Sequence, residues 1–161
     1  MRLNILAALL LAPLSSLAAP SPIQNASPPS RVIHASEAVV TPPPCKAIVP
    51  APTEEETHAR FDEFANAFLV TKNITNAFEY ISSVYINHNP YAKANGPDAA
   101  LDILGPIWSG LDITVLRTKF NGTFGWLNYN VTTMGEVVDR YRWEDGCIVE
   151  HWDQGEKFPA R

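Results

Sequence analysis

From Thr53 onward the apolar positions fall first at helical and then at strand spacing. Thr53-Glu54-Glu55-Glu56 has the form of a helix start, a capping residue followed by carboxylates in the first turn. Phe61, Phe64, Ala65, Phe68 and Leu69 then recur along one face. A second short helix is predicted over Asn76–Ser83, and a brief strand over Val84–His88, stopped by Asn89-Pro90. Gly96-Pro97 opens a third helix, Asp98–Trp108, which Pro106 ends or kinks. After Gly110 the period becomes two. Strands are predicted over Ile113–Asn121, Phe124–Thr132, Glu136–Trp143 and Cys147–Asp153, the first two joined at Asn121-Gly122. Helices followed by an antiparallel run give an α+β domain, with N-terminal helices on a curved, mostly antiparallel sheet that encloses a cone-shaped small-molecule pocket.

The residues before Thr53 differ in character. Arg2, the mostly apolar run Leu3–Ala12 and the small residues up to Ala18 have the layout of a secretory signal peptide, Met1–Ala18. The run is too short to span a bilayer, which needs ~20 residues. Residues 19–52 read as a largely disordered Pro-rich spacer, since nine of the fourteen prolines fall between Pro20 and Pro52 with no aromatic residue among them. Val32-Ile33 or Val39-Val40 is a short stretch able to pack on the domain. That leaves 53–158 as one domain of single-core size.

Export carries further expectations. Removing Arg2 with the leader takes the net charge from −5 to −6. No basic cluster remains, which argues against nucleic acid or an anionic membrane as partner. Sequons at Asn73, Asn121 and Asn130 are the expected glycosylation sites; that at Asn25 is poorer because Pro28 follows it. In an oxidising compartment the two cysteines, Cys45 and Cys147, are most simply one disulfide, with a reactive Cys147 as the competing reading.

Two stretches resemble a known family. Tyr85-Ile86-Asn87-His88-Asn89-Pro90 and the segment Val138–Asp153, which closes on Glu150-His151-Trp152-Asp153, are similar to the two signatures of SnoaL-like proteins, a branch of the nuclear transport factor two-like fold. The resemblance covers about Thr53 to Phe158. It implies the cone-shaped fold and a relationship to polyketide cyclases that close a ring by intramolecular aldol condensation without cofactor, and to dehydratases, isomerases and epoxide hydrolases. It places Asp153 at the acid/base aspartate and Asp139 at a polar pocket position. Cys147 stands where the family usually has Lys.

Strand alternation puts His151 and Asp153 on one face, with Ile148, Glu150 and Trp152 on the other. Asp139 shares a face with Tyr141. If these polar faces look into the cone, Asp153, His151 and Asp139 converge there with His88 from the first strand. A carboxylate in a dry pocket is a base for a proton next to a carbonyl, and an imidazole can donate to the developing enolate. Asp153 is the expected base, His88 or His151 the electrophilic partner, and Tyr85, Tyr141 and Trp126 the lining. Two plainer readings stand beside it: a satisfied polar network that fixes the sheet, and an ion pair of Asp139 with Arg140 or Arg142. A metal centre is not expected, because a two-His, one-carboxylate set would have to borrow His88. His34 and His58 lie in the spacer and on a helix start. No cofactor motif and no G-x-S-x-G is present.

The expected partner is therefore a small hydrophobic or polyketide-like molecule, with a homodimer through outer-face residues such as Trp152 and Ile148 left open. The two functional readings are a cofactor-independent cyclase, dehydratase or isomerase and a secreted, non-catalytic small-molecule binder.

Overall fold

A computed structural model describes residues 39–160. The signal-peptide reading, most of the spacer and the Asn25 sequon lie outside the described residues.

Helix α1, Glu54–Ala65, begins in a capping box: the Thr53 hydroxyl accepts from the Glu56 backbone N–H, and the Glu56 carboxylate accepts from the Thr53 N–H at 2.8 Å. It runs on into a π-helical turn, Asn66–Val70. Asn73 caps α2, Ile74–Phe78, through its side-chain oxygen. Then come β1 (Ile81–Asn87), α3 (Pro97–Leu104), a 3-10 turn over Trp108–Gly110, β2 (Ile113–Asn121), β3 (Phe124–Val131), β4 (Gly135–Glu144) and β5 (Cys147–Trp152). The sheet order is β1-β5-β4-β3-β2, antiparallel except that β1 runs parallel to β5. The helices pack on one face of this sheet around Phe61, Phe64, Leu127, Trp143 and Ile148, all 0–1% exposed. The α+β architecture is the one expected.

Several local expectations shift, each for a physical reason. The second helix stops at Phe78, because the carbonyls of Tyr80 and Ile81 accept ladder bonds from Ile148 N–H and Cys45 N–H; residues 81–83 are strand. Helix α3 ends at Leu104, two residues before Pro106. In the first hairpin Asn121 pairs with Phe124, so the loop is Gly122-Thr123 rather than Asn121-Gly122. Only Gly122 has positive φ (+63°), as a turn with glycine first demands. A register shift between Arg142 and Trp143 turns Ile148 inward, where it is fully buried and unavailable to an outer-face contact.

Prolines deny residues 39–52 a ladder of their own but not contacts with an existing edge. Cys45 bridges Ser82 in parallel and is disulfide-bonded to Cys147; Ile48 N–H donates to Asp145 O at 3.0 Å; Thr75 Oγ1 donates to Val40 O at 3.1 Å. After β5 the chain turns back over the outer face. There Arg140 meets Glu156 at 3.0 Å, Arg117 lies over the Phe158 ring, and Lys119 Nζ donates to Ala160 O. No helix among the described residues is long and apolar enough to cross a membrane.

Candidate active site

Between the helices and the inner sheet face lies a cavity of about 330 Å³. Phe64, Phe68, Phe78, Trp108, Leu104 and Ile107 form its apolar wall, and its polar groups collect at one end. Pairing of Asn87 with His151 and of Tyr141 with His151 brings β1, β5 and β4 into register there. Each strand then sends alternate side chains inward: Tyr85 and Asn87 from β1, His151 from β5, Asp139 and Tyr141 from β4, with Tyr129 from β3. Asn89 and Asp153 follow just beyond β1 and β5.

Asp139 is the hub. It is 3% exposed, and its Oδ2 accepts from the hydroxyls of Tyr129 (2.9 Å) and Tyr141 (3.3 Å), while Oδ1 faces His151 Nε2 at 3.2 Å. His151 Nδ1 faces Asn87 Oδ1 at 3.2 Å, an oxygen that also accepts from Asn89 N–H. Both ring nitrogens therefore meet acceptor oxygens within the protein, and Tyr141 stacks on the ring at 4.7 Å between centroids. Asp153 is only half-buried. It accepts from Asn89 Nδ2 and from Gln154 N–H. Burial, reinforced by the negative charge of Asp139, pushes the ionisation of Tyr85, Tyr129 and Tyr141 well above the usual tyrosine range. All three are neutral donors at any ordinary pH.

Asp139, His151 and Asp153 offer ligand atoms within 4.8 Å of one another. A cation there would have to take lone pairs from Asp139 that two tyrosines and His151 already use, so the donor set fits a hydrogen-bonded network better than a metal. The ion-pair reading of Asp139 is also not met: Arg142 pairs with Glu150 and Glu144, and Arg140 with Glu156.

Two predicted site residues lie elsewhere. His88 sits one step past Asn87, hence on the outer face, where it contacts Glu150 at 2.8 Å, stacks on Trp152 at 4.9 Å and has a side chain 43% exposed. Trp126, opposite Arg140 and Lys119, is on that outer face too, beside Phe124. Conversely, Asn87 and Asn89, which the sequence does not mark as site residues, join the polar end, together with Tyr129, one of the aromatic residues expected in the core or the pocket lining. Counting in twos from Tyr85 reaches 87 and 89, and His88 falls between them on the opposite face. Of the sequons, Asn73 and Asn121 are exposed and Asn130 is half-buried in β3.

No protein-family model and no curated protein matches the sequence. Solved structures do. A nuclear transport factor two-like protein of unknown function from Burkholderia xenovorans is 14% identical, with a TM-score of 0.53 over 67% of this chain and 89% of that one. The chain has the nuclear transport factor two-like fold. A second protein of this fold, a proposed ketosteroid isomerase from Kribbella flavida, aligns at 15% identity and TM-score 0.51 over 66% of this chain and 84% of its own. A SnoaL-like protein of unknown function from Burkholderia thailandensis aligns at 11% and 0.50, over 64% and 97%. At such identities the likeness is one of nuclear transport factor two-like architecture, and the chemistry has to be argued from the cavity.

Proposed function

We propose that this is an exported, N-glycosylated small-molecule pocket protein, clipped by its disulfide, that carries out cofactor-independent acid–base chemistry on a mostly apolar carbonyl compound. One observation carries the reading: a largely apolar cavity whose polar groups collect at one end, where the half-buried carboxylate of Asp153 stands beside a fixed His151–Asp139 pair. Asp153 takes a proton from the carbon next to the carbonyl, and the C–H electron pair moves onto the carbonyl oxygen as an enolate. The enolate carbon then attacks a second carbonyl, expels a β-hydroxyl, or is reprotonated elsewhere; Asp153 returns the proton. Asp139 holds His151 in place at the polar end. The likeness to a proposed ketosteroid isomerase agrees with this class of chemistry at the level of fold.

A second reading also has an observation behind it. His151 and Asp139 use their polar atoms on each other, on Asn87 and on two tyrosines, as a network built only to bind would. The two are separated by incubating the purified protein, Asp153→Asn and, as a control outside the cavity, His88→Ala with small-molecule extracts of the producing organism, followed by mass spectrometry. Consumption of a compound by the wild type and by His88→Ala, but not by Asp153→Asn, supports catalysis. A compound bound unchanged by all three proteins would sink it and leave a carrier.

A further inference from the structure

At the polar end of the cavity nearly every buried donor is already committed. Tyr129 and Tyr141 give their hydroxyls to Asp139, His151 is held between Asp139 and Asn87, and Asn89 serves Asp153. Tyr85 is the exception. It is 3% exposed and lines the cavity, with its ring 6.4 Å from that of His151; among the described residues no protein group accepts from its hydroxyl, and that hydroxyl is not among the side-chain atoms sealed from solvent, so it opens onto the cavity. A hydroxyl open to the cavity is met by solvent until a ligand enters, and a ligand that displaces that solvent without offering an acceptor leaves it unsatisfied, so the position favours a molecule with an acceptor at this end. Its neutrality is secure: burial, then the charges of Asp139 and Asp153, oppose its ionisation. The donor role that the sequence offers to His88 or His151 finds neither free: His88 lies on the other side of the sheet, and His151 is held between Asp139 and Asn87.

We propose that Tyr85 contacts the substrate directly, donating its hydroxyl hydrogen to the carbonyl oxygen and to the enolate oxygen it becomes, and so selects ligands that carry an oxygen acceptor at their leading end. The role rests on the acid–base reading above, and its test is independent of turnover. Two probes of one shape serve: 2-acetylnaphthalene, and 2-isopropenylnaphthalene, in which a CH₂ group replaces the carbonyl oxygen. The wild type binds the ketone about three- to tenfold tighter than the hydrocarbon, the worth of one hydrogen bond. Tyr85→Phe abolishes that preference and leaves hydrocarbon affinity unchanged, which also shows that the variant is folded. With a ¹³C-labelled carbonyl, the infrared stretch of the bound ketone lies below its value in hexane for the wild type and returns towards it in Tyr85→Phe. A wild-type frequency equal to that in hexane overturns the proposal without any variant, as does a Tyr85→Phe protein that keeps the preference. Failure of the wild type to bind either probe overturns it together with the small-molecule pocket on which it rests. Turnover lost in Asp153→Asn while Tyr85→Phe retains the ketone preference fails this proposal alone.

Discussion

Asp139 offers a quantitative check on the network at the polar end. The perturbation is a pair of substitutions, Asp139→Asn and Asp139→Ala. In the first, the amide oxygen can keep the two tyrosine hydroxyls on Oδ2 and the new N–H₂ can face His151 Nε2 if the ring changes tautomer. What is lost is the charge assistance of three hydrogen bonds. A bond to a charged group contributes ~1.5–3 kcal/mol against ~0.5–1.5 for a neutral one, and shared over one carboxylate the loss comes to about 1–2 kcal/mol. In the second, two tyrosine hydroxyls and an imidazole nitrogen lose their partner at a site that is 3% exposed. At ~1–3 kcal/mol for each orphaned group, reduced where water enters past half-buried Asp153, the cost is about 3–5 kcal/mol. The assay is urea unfolding at neutral pH, with the shift in midpoint converted through an unchanged slope. Asp139→Ala should cost about 1–4 kcal/mol more than Asp139→Asn. Equal costs, or both below about 1 kcal/mol, would refute the reasoning, because they would mean that solvent already satisfies the tyrosines.

Two further outcomes follow from the same structure. The folded-state ionisation of Tyr85, Tyr129 and Tyr141 is raised, so their contribution is complete below the unfolded tyrosine value near pH 10 and is lost as pH rises from there towards the folded values. Each steepens the fall by up to about 1.4 kcal/mol per pH unit; in a Tyr80→Phe, Tyr91→Phe background, which removes the two tyrosines outside this buried group, absorbance at 295 nm and circular dichroism should therefore change together above pH 10, and tyrosinate appearing there while the fold persists would contradict the burial. Cys45 and Cys147 are 102 residues apart, which in the chain-entropy model makes their bond worth at most about 4.7 kcal/mol. The Cys45→Ser, Cys147→Ser double variant should unfold at clearly lower urea than the oxidised wild type and match the reduced one. A midpoint equal to that of the oxidised protein would show that the cross-link does not stabilise the fold.

Period and punctuation made most of the fold readable. Strands β3 and β4 are legible because burial alternates along them, and β2 and β5 because the turns at Gly122 and Gly146 tie them to those two, whereas the end of α2 is not, since Tyr80 and Ile81 obey partners more than sixty residues away and thirty-six residues before. At the site, Asp139, His151, Asp153, Tyr85 and Tyr141 were found by combining alternation with chemistry. The expected place of His88 fails because the two-residue count from Tyr85, and not residue type, decides the face. The face of Ile148 is not legible, because a register shift between strands leaves no mark in one chain's pattern.

The bond between Cys45 and Cys147 also fixes where mechanical load enters the domain. Tension on the residues before Cys45 passes through sulfur into the start of β5, a strand held between β1 and β4, and bypasses α1 and the stretch from 46 to 53. Strain that would otherwise unzip the domain from its first helix is instead borne in the interior of the sheet, where strands share hydrogen bonds on both sides. A body fastened in this way can be pulled through residues 39–44 while the cavity, walled by α1 and α3, keeps its shape.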